Sequence, residues 1–317
     1  MKRFRNILLV CDEQGIHEEA VSRAIGLALE NDARIALVDV LDSAPGEIAR
    51  VYGSLPGNRA KDVERELIAF HEARLKKIAS SIESVGIETT ISVLQGIPFL
   101  EIIRKVLRDG HDLVFKGTTA DPVGHLPLYA SMDLHLLRKC PCPVWVLKKS
   151  SERGFARILA AVDPDAGDRH GGSLNTVIMD LATSLAARDQ SELHVVNAWQ
   201  LVGEETMRSG GFMQVDPCEL DRLATEQEQL CNERMNTLLQ RYHDLGGTRQ
   251  VHLFKGPPRE VVPGLAEECR ADLIIMGTVA RTGIQGLFIG NTAEAVLSQV
   301  RCSILAVKPP GFVTPVR

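Results

Sequence analysis

Short runs of uninterrupted apolar residues alternate along this chain with longer stretches where apolar positions recur every three or four residues. The first run is Ile7-Leu8-Leu9-Val10-Cys11, and Glu18–Leu29 follows with Val21, Ala24, Ile25, Ala28 and Leu29 on one face. The spacing predicts a strand and then a helix. Further strands are expected at 34–40, 89–94, 113–116 and 144–148, with helices at 59–85, 98–108 and 132–138 between them. The order then repeats. Strands are expected at 158–162, 192–198, 250–254, 273–276 and 304–308, and helices at 173–187, 218–245, 258–269 and 292–299. Leu201–Asp216, rich in glycine and polar residues, reads as a loop with no element of its own.

Apolar strands that alternate with helices give a parallel sheet covered on both faces, a doubly wound α/β fold. Right-handed crossovers make 3-2-1-4-5 the expected strand order, with a ligand crevice where the order reverses, between strands 1 and 4. The repetition extends to residues. Asp112-Leu113-Val114-Phe115-Lys116-Gly117-Thr118 returns as Asp272-Leu273-Ile274-Ile275-Met276-Gly277-Thr278, and Cys142-Pro143-Val144-Trp145-Val146-Leu147-Lys148 returns as Cys302-Ser303-Ile304-Leu305-Ala306-Val307-Lys308. Both blocks are displaced by 160 residues, far beyond the roughly 20–50 of a solenoid repeat. Two tandem domains are therefore expected, at 1–149 and 155–310, with the polar stretch 149–154 joining them.

Composition narrows the function. The 317 residues carry a net charge of −5, which argues against a general nucleic-acid or anionic-membrane surface. No apolar run is long enough to cross a bilayer, and the first strand is too short for a signal sequence, so a cytoplasmic protein is expected. Seven cysteines, an odd number, fit a reducing compartment. Cys140-Pro141-Cys142-Pro143 has no second Cys or His pair at zinc-site spacing, and Cys142 aligns with Cys302 at the entry to a buried strand, where cysteine acts as a small hydrophobe.

Chemistry concentrates after the fourth strand of the second half, in Gly277-Thr278-Val279-Ala280-Arg281-Thr282-Gly283 and then Gly290-Asn291-Thr292-Ala293-Glu294. Small residues let a backbone approach a ligand and turn its N–H groups inward as an anion nest. A helix beginning after Gly290 offers its N-terminal N–H groups to phosphate, with Asn291 and Thr292 adding side-chain donors. Asp163, which ends the first strand of that half, can accept from an adenine amino group or a ribose hydroxyl. The same residues also fit a helix cap, since Asn291-x-x-Glu294 is close to a capping box.

This arrangement resembles the universal stress protein family, and within it the tandem-domain members of bacteria. The resemblance covers both halves. ATP-binding members carry G-x-x-G-x(9)-G-[ST] after strand 4, and Gly277, Ala280 and Gly290 stand at the three glycine positions here, followed by Asn291-Thr292. Asp163 and Met276 match too, and Val195 sits where the family contacts adenine. Two departures are Ala280 in place of the second glycine and Asn291 in place of Ser or Thr. The resemblance implies an adenine nucleotide, ATP with Mg²⁺, bound by the second half of a stress-response protein. In the first half the aligned positions are Gly117, Ala120, Ala130 and Ser131, with Asp121 and Asp133 nearby to repel phosphate, and Asp12 is read as a helix cap. No nucleotide is expected there.

No general base stands near the glycine loop, and no Ser-His-Asp order or nucleophile elbow appears, so no catalytic residue and no metal ligand is assigned. A different class of function fits the same fold. Both crevices would then serve as a scaffold for a protein or an apolar ligand, with Met207, Phe212, Met213 and Val215 of the long loop lidding a pocket. The two fifth strands, 144–148 and 304–308, would each expose an apolar edge if left alone. Their pairing within one chain as a pseudo-dimer solves that problem, and leaves dimerisation of whole chains open.

Overall fold

The structure is a computed structural model that describes residues 3–12, 18–42, 59–118, 131–148, 154–164, 174–209, 215–243, 248–278 and 291–317, with the backbone alone at 59, 60, 131 and 291. The strands are β1 (Asn6–Val10), β2 (Arg34–Leu41), β3 (Thr89–Gln95), β4 (Leu113–Thr118), β5 (Val144–Lys148), β6 (Arg157–Ala161), β7 (Glu192–Trp199), β8 (Arg249–Lys255), β9 (Leu273–Gly277) and β10 (Ser303–Val307). The helices are α1 (Glu18–Asn31), α2 (Arg59–Glu83), α3 (Pro98–Asp109), α4 (Ser131–Lys139), α5 (Leu174–Asp189), α6 (Glu204–Arg208), α7 (Pro217–Gln240), α8 (Pro258–Glu268) and α9 (Asn291–Gln299).

The chain divides into two compact units. The first holds β1–β5, α1–α4 and also β10; the second holds β6–β9 and α5–α9. In the first, β2 lies between β3 and β1, and β4 between β1 and β5, all parallel, which is the expected 3-2-1-4-5. In the second, β7 lies between β8 and β6, and β6 pairs with β9, again all parallel. Every residue of β1 is buried, as its uninterrupted apolar run requires. The strands β3 and β8 carry exposed positions instead, as sheet-edge strands do.

β10 runs antiparallel to β5, with Ile304 opposite Val146, Leu305 opposite Trp145 and Ala306 opposite Val144. Two apolar edges are thus converted into one ladder, and Trp145 is fully buried against Phe115 at a ring-centroid distance of 5.2 Å. Local signals explain the element ends. Pro98 and Pro258 open α3 and α8, and Gly110 closes α3 in the left-handed region at φ 67°, its N–H on the Val106 carbonyl. The loop reading of Leu201–Asp216 needs one correction. The helix α6 occupies its beginning, and the Glu204 carboxylate accepts from Arg208 at 2.9 Å and from Lys255 of β8 at 2.7 Å.

Candidate functional site

The crevice between strands 1 and 4 is built differently in the two halves, and the register makes the comparison exact to the residue. In the first unit Val10 lies opposite Lys116; in the second Ala161 lies opposite Met276. Asp12 and Asp163 each stand two residues beyond, and Asp133 and Ala293 each stand third in the helix that follows strand 4.

In the first half the Lys116 ammonium bridges two carboxylates, 3.0 Å from Asp12 and 3.1 Å from Asp133, and donates to the Gly117 carbonyl at 3.1 Å. Asp133 is fully buried and Lys116 nearly so. Burial alone would favour neutral Lys116, but the Asp133 and Asp12 charges overcome it and hold the amine more basic than usual. Asp12, expected as a helix cap, is therefore one arm of an internal ion triad. Beside it, buried Asp39 near the end of β2 accepts from His71 and from Arg74 of α2, the latter at 2.6 Å, while Arg74 also donates to the Cys11 carbonyl at 2.5 Å. Sequence reasoning missed both clusters. The signal was there: Lys116 and Asp39 are lone charges inside apolar strands, and buried charges need partners.

The second half carries no cation at the equivalent position. Met276 is buried, Ala293 replaces the helix carboxylate, and Asp163 remains at the strand end. The Asp163 backbone is clamped to α5 from both sides: its N–H donates to the Asn175 Oδ1 and its carbonyl accepts from the Asn175 Nδ2, both at 2.8 Å. Asn197 takes the place of Asp39 and donates to the Val162 carbonyl at 3.2 Å, the bond that Arg74 supplies to Cys11 in the first half. Val195 is fully buried mid-strand, opposite Ala160 and Val251. Three adjacent strands, β7, β6 and β9, thus bring Val195, Asp163, Met276 and Gly277 into one stretch of sheet.

Gly277 has a second reason to be glycine. A Cβ there would sit 2.4 Å from the Leu174 Cδ2 at the start of α5, so the helix packs where a side chain would be. Asn291 opens α9, as a phosphate-binding helix start would require, and Thr292 is exposed in its first turn. Ala280 and Gly290 lie outside the described residues, as do Phe212 and Met213 of the long loop.

At the opposite ends of the strands each unit has a polar cavity, of about 220 Å³ beside Lys105 and about 430 Å³ beside His252. Lys105 ties the first shut by bonding Ser92 at 3.0 Å and Asp109 at 2.9 Å. In the second, Leu265 and Cys269 replace that ion pair, and His194 Nδ1 faces His252 Nε2 at 3.0 Å. The ring centroids are 5.2 Å apart and the planes lie at 10°, with the two nitrogens at hydrogen-bond distance. Among the described residues no cluster of His, Cys, Asp and Glu is arranged to hold a metal ion, and no helix is long and apolar enough to cross a membrane.

The model of the universal stress protein family matches this chain twice, over residues 3–148 and 154–308. The chain belongs to that family, as a tandem member. It is 29% identical to Universal stress protein E of Escherichia coli K12, over all of this chain and 98% of that one. It is 27% identical to the Universal stress protein E homolog of Haemophilus influenzae, over 97% and 98%. Among solved structures, a protein of unknown function from Pseudomonas aeruginosa PAO1 superposes with a TM-score of 0.70 at 25% identity, covering 97% of this chain and 94% of that one. A universal stress protein from Archaeoglobus fulgidus shares the fold at a TM-score of 0.59 and 17% identity, covering 96% and 98%.

Proposed function

We propose that this protein is a stress-response regulator whose second half binds an adenine nucleotide, ATP with Mg²⁺, and whose first half binds none. The observation that carries this reading is the exchange at register-equivalent positions. The first crevice holds its own cation between two carboxylates, whereas the second has Met276 and Ala293 there and keeps Asp163 at the strand end. A crevice whose ion triad spends its one cation on two carboxylates remains net negative and repels a phosphorylated ligand. The second half combines an acidic strand end for base or ribose, Gly277 at the end of β9, and a helix starting at Asn291 to receive phosphate.

Val195, Asp163, Met276 and Gly277 would line the nucleoside side, and Ala280, Gly290, Asn291 and Thr292 the phosphate side. No residue is assigned to hydrolysis, so nucleotide occupancy would act by altering partner binding. Titration calorimetry of ATP with Mg²⁺ into the full chain tests the reading beside Gly290→Asp, which sets a carboxylate among the phosphate donors. Binding to one site per chain, lost in the variant, is the expected result. Absence of binding to the unaltered chain would favour the scaffold function instead.

A further inference from the structure

The Cys140-Pro141-Cys142-Pro143 segment joins α4 to β5, and its two sulfurs lie 3.5 Å apart. Both ends of the segment are anchored. The Cys140 N–H bonds the Leu136 carbonyl at 3.0 Å, and the Pro143 carbonyl accepts from Val114 at 3.0 Å. Proline on each side of Cys142 restricts φ, so the sulfurs are held near each other without a cross-link. Cys140 is fully buried and Cys142 partly exposed, which sets an order of access from solvent.

We propose that Cys140 and Cys142 form a peroxide-sensitive dithiol that closes reversibly to a disulfide. The step balances as two condensations. The Cys142 thiol loses its proton to solvent and the thiolate attacks hydrogen peroxide; the O–O bond breaks, a sulfenic acid is left on Cys142, and the departing hydroxide takes up that proton as one water. Cys140 then attacks the Cys142 sulfur, the S–O bond breaks, and a second water leaves with the proton from Cys140. A disulfide needs the sulfurs about 2.05 Å apart, so they close by about 1.5 Å from their 3.5 Å separation.

The contact with Cys140, together with burial, pushes the Cys142 thiol up, so thiolate formation is the slow step of the oxidation. A disulfide closed across three residues is strained, which favours ready reduction. The redox chemistry is independent of nucleotide occupancy.

The test is differential thiol labelling of the full chain after hydrogen peroxide. Free thiols are alkylated under denaturing conditions, the sample is reduced, newly exposed thiols receive an isotopically heavy label, and peptides are read by mass spectrometry. Heavy label on Cys140 and Cys142 together, its appearance prevented by prior reduction, is the expected result. Cys140→Ser abolishes it and leaves Cys142 trapped by dimedone as sulfenic acid. Light label on both residues after peroxide overturns the proposal, as does heavy label on Cys142 paired with any other cysteine.

Discussion

Lys116 is the residue whose loss is most informative. Replacing it with Met, the residue at the equivalent second-half position, leaves Asp12 and Asp133 facing each other across a buried site. That costs about 3–5 kcal/mol, as for other buried ion pairs broken on one side. Adding Asp133→Ala, which completes the second-half pattern, restores most of it. Urea unfolding of the single and double variants measures the difference, and additive losses would show that the two residues do not act as a unit. Among the described residues three histidines weaken the fold in acid. His111, His135 and His252 are held below the ordinary value near 6.5, in each case chiefly by burial, with Lys105 next for His111, Lys139 for His135 and His194 for His252. The unfolded chain takes up protons that the folded chain refuses, so the stability these groups contribute is full above about pH 6.5 and falls as pH drops below it. His111→Gln flattens the decline in midpoint between pH 7.5 and 5.5 in denaturant titrations; an unchanged slope would remove His111 from the account.

At the scale of elements, two packing contacts stand out. Gly277 ends β9 where the Leu174 side chain of α5 closes in, so Gly277→Ala pushes that helix and costs about 1–3 kcal/mol. Pairing it with Leu174→Ala relieves the overlap, and recovery of the unfolding midpoint shows that helix packing, rather than any ligand, demands the glycine. Trp145 anchors the β5–β10 ladder, and Trp145→Ala costs about 3–5 kcal/mol through the cavity it leaves. The elements themselves were legible from periodicity, because continuous apolar strands and one-sided helices repeat with an offset of 160 residues. What periodicity could not show is where lone charges in apolar strands find partners. Asp39 meets His71 and Arg74 only once α2 is laid on the sheet, and Lys116 meets Asp133 only once α4 follows β4. The short helix α6 escaped as well, since a single turn held by Glu204, Arg208 and Lys255 has no apolar stripe to read.

For the whole molecule, two copies of one α/β scaffold carry different crevices: the first holds the Asp12–Lys116–Asp133 ion triad, and the second has Met276 and Ala293 where Lys116 and Asp133 stand. Its glycine loop was readable as a motif, but the counter-example in the first half became readable only through strand register. The most direct measurement installs that counter-example in the second half. Met276→Lys with Ala293→Asp recreates, beside Asp163, the Asp12–Lys116–Asp133 arrangement. Titration calorimetry with ATP and Mg²⁺ should show one site in the unaltered chain and none in the double variant, with folding checked by circular dichroism. Two equivalent sites in the unaltered chain, or binding that survives the double substitution, would contradict the division of labour between the halves.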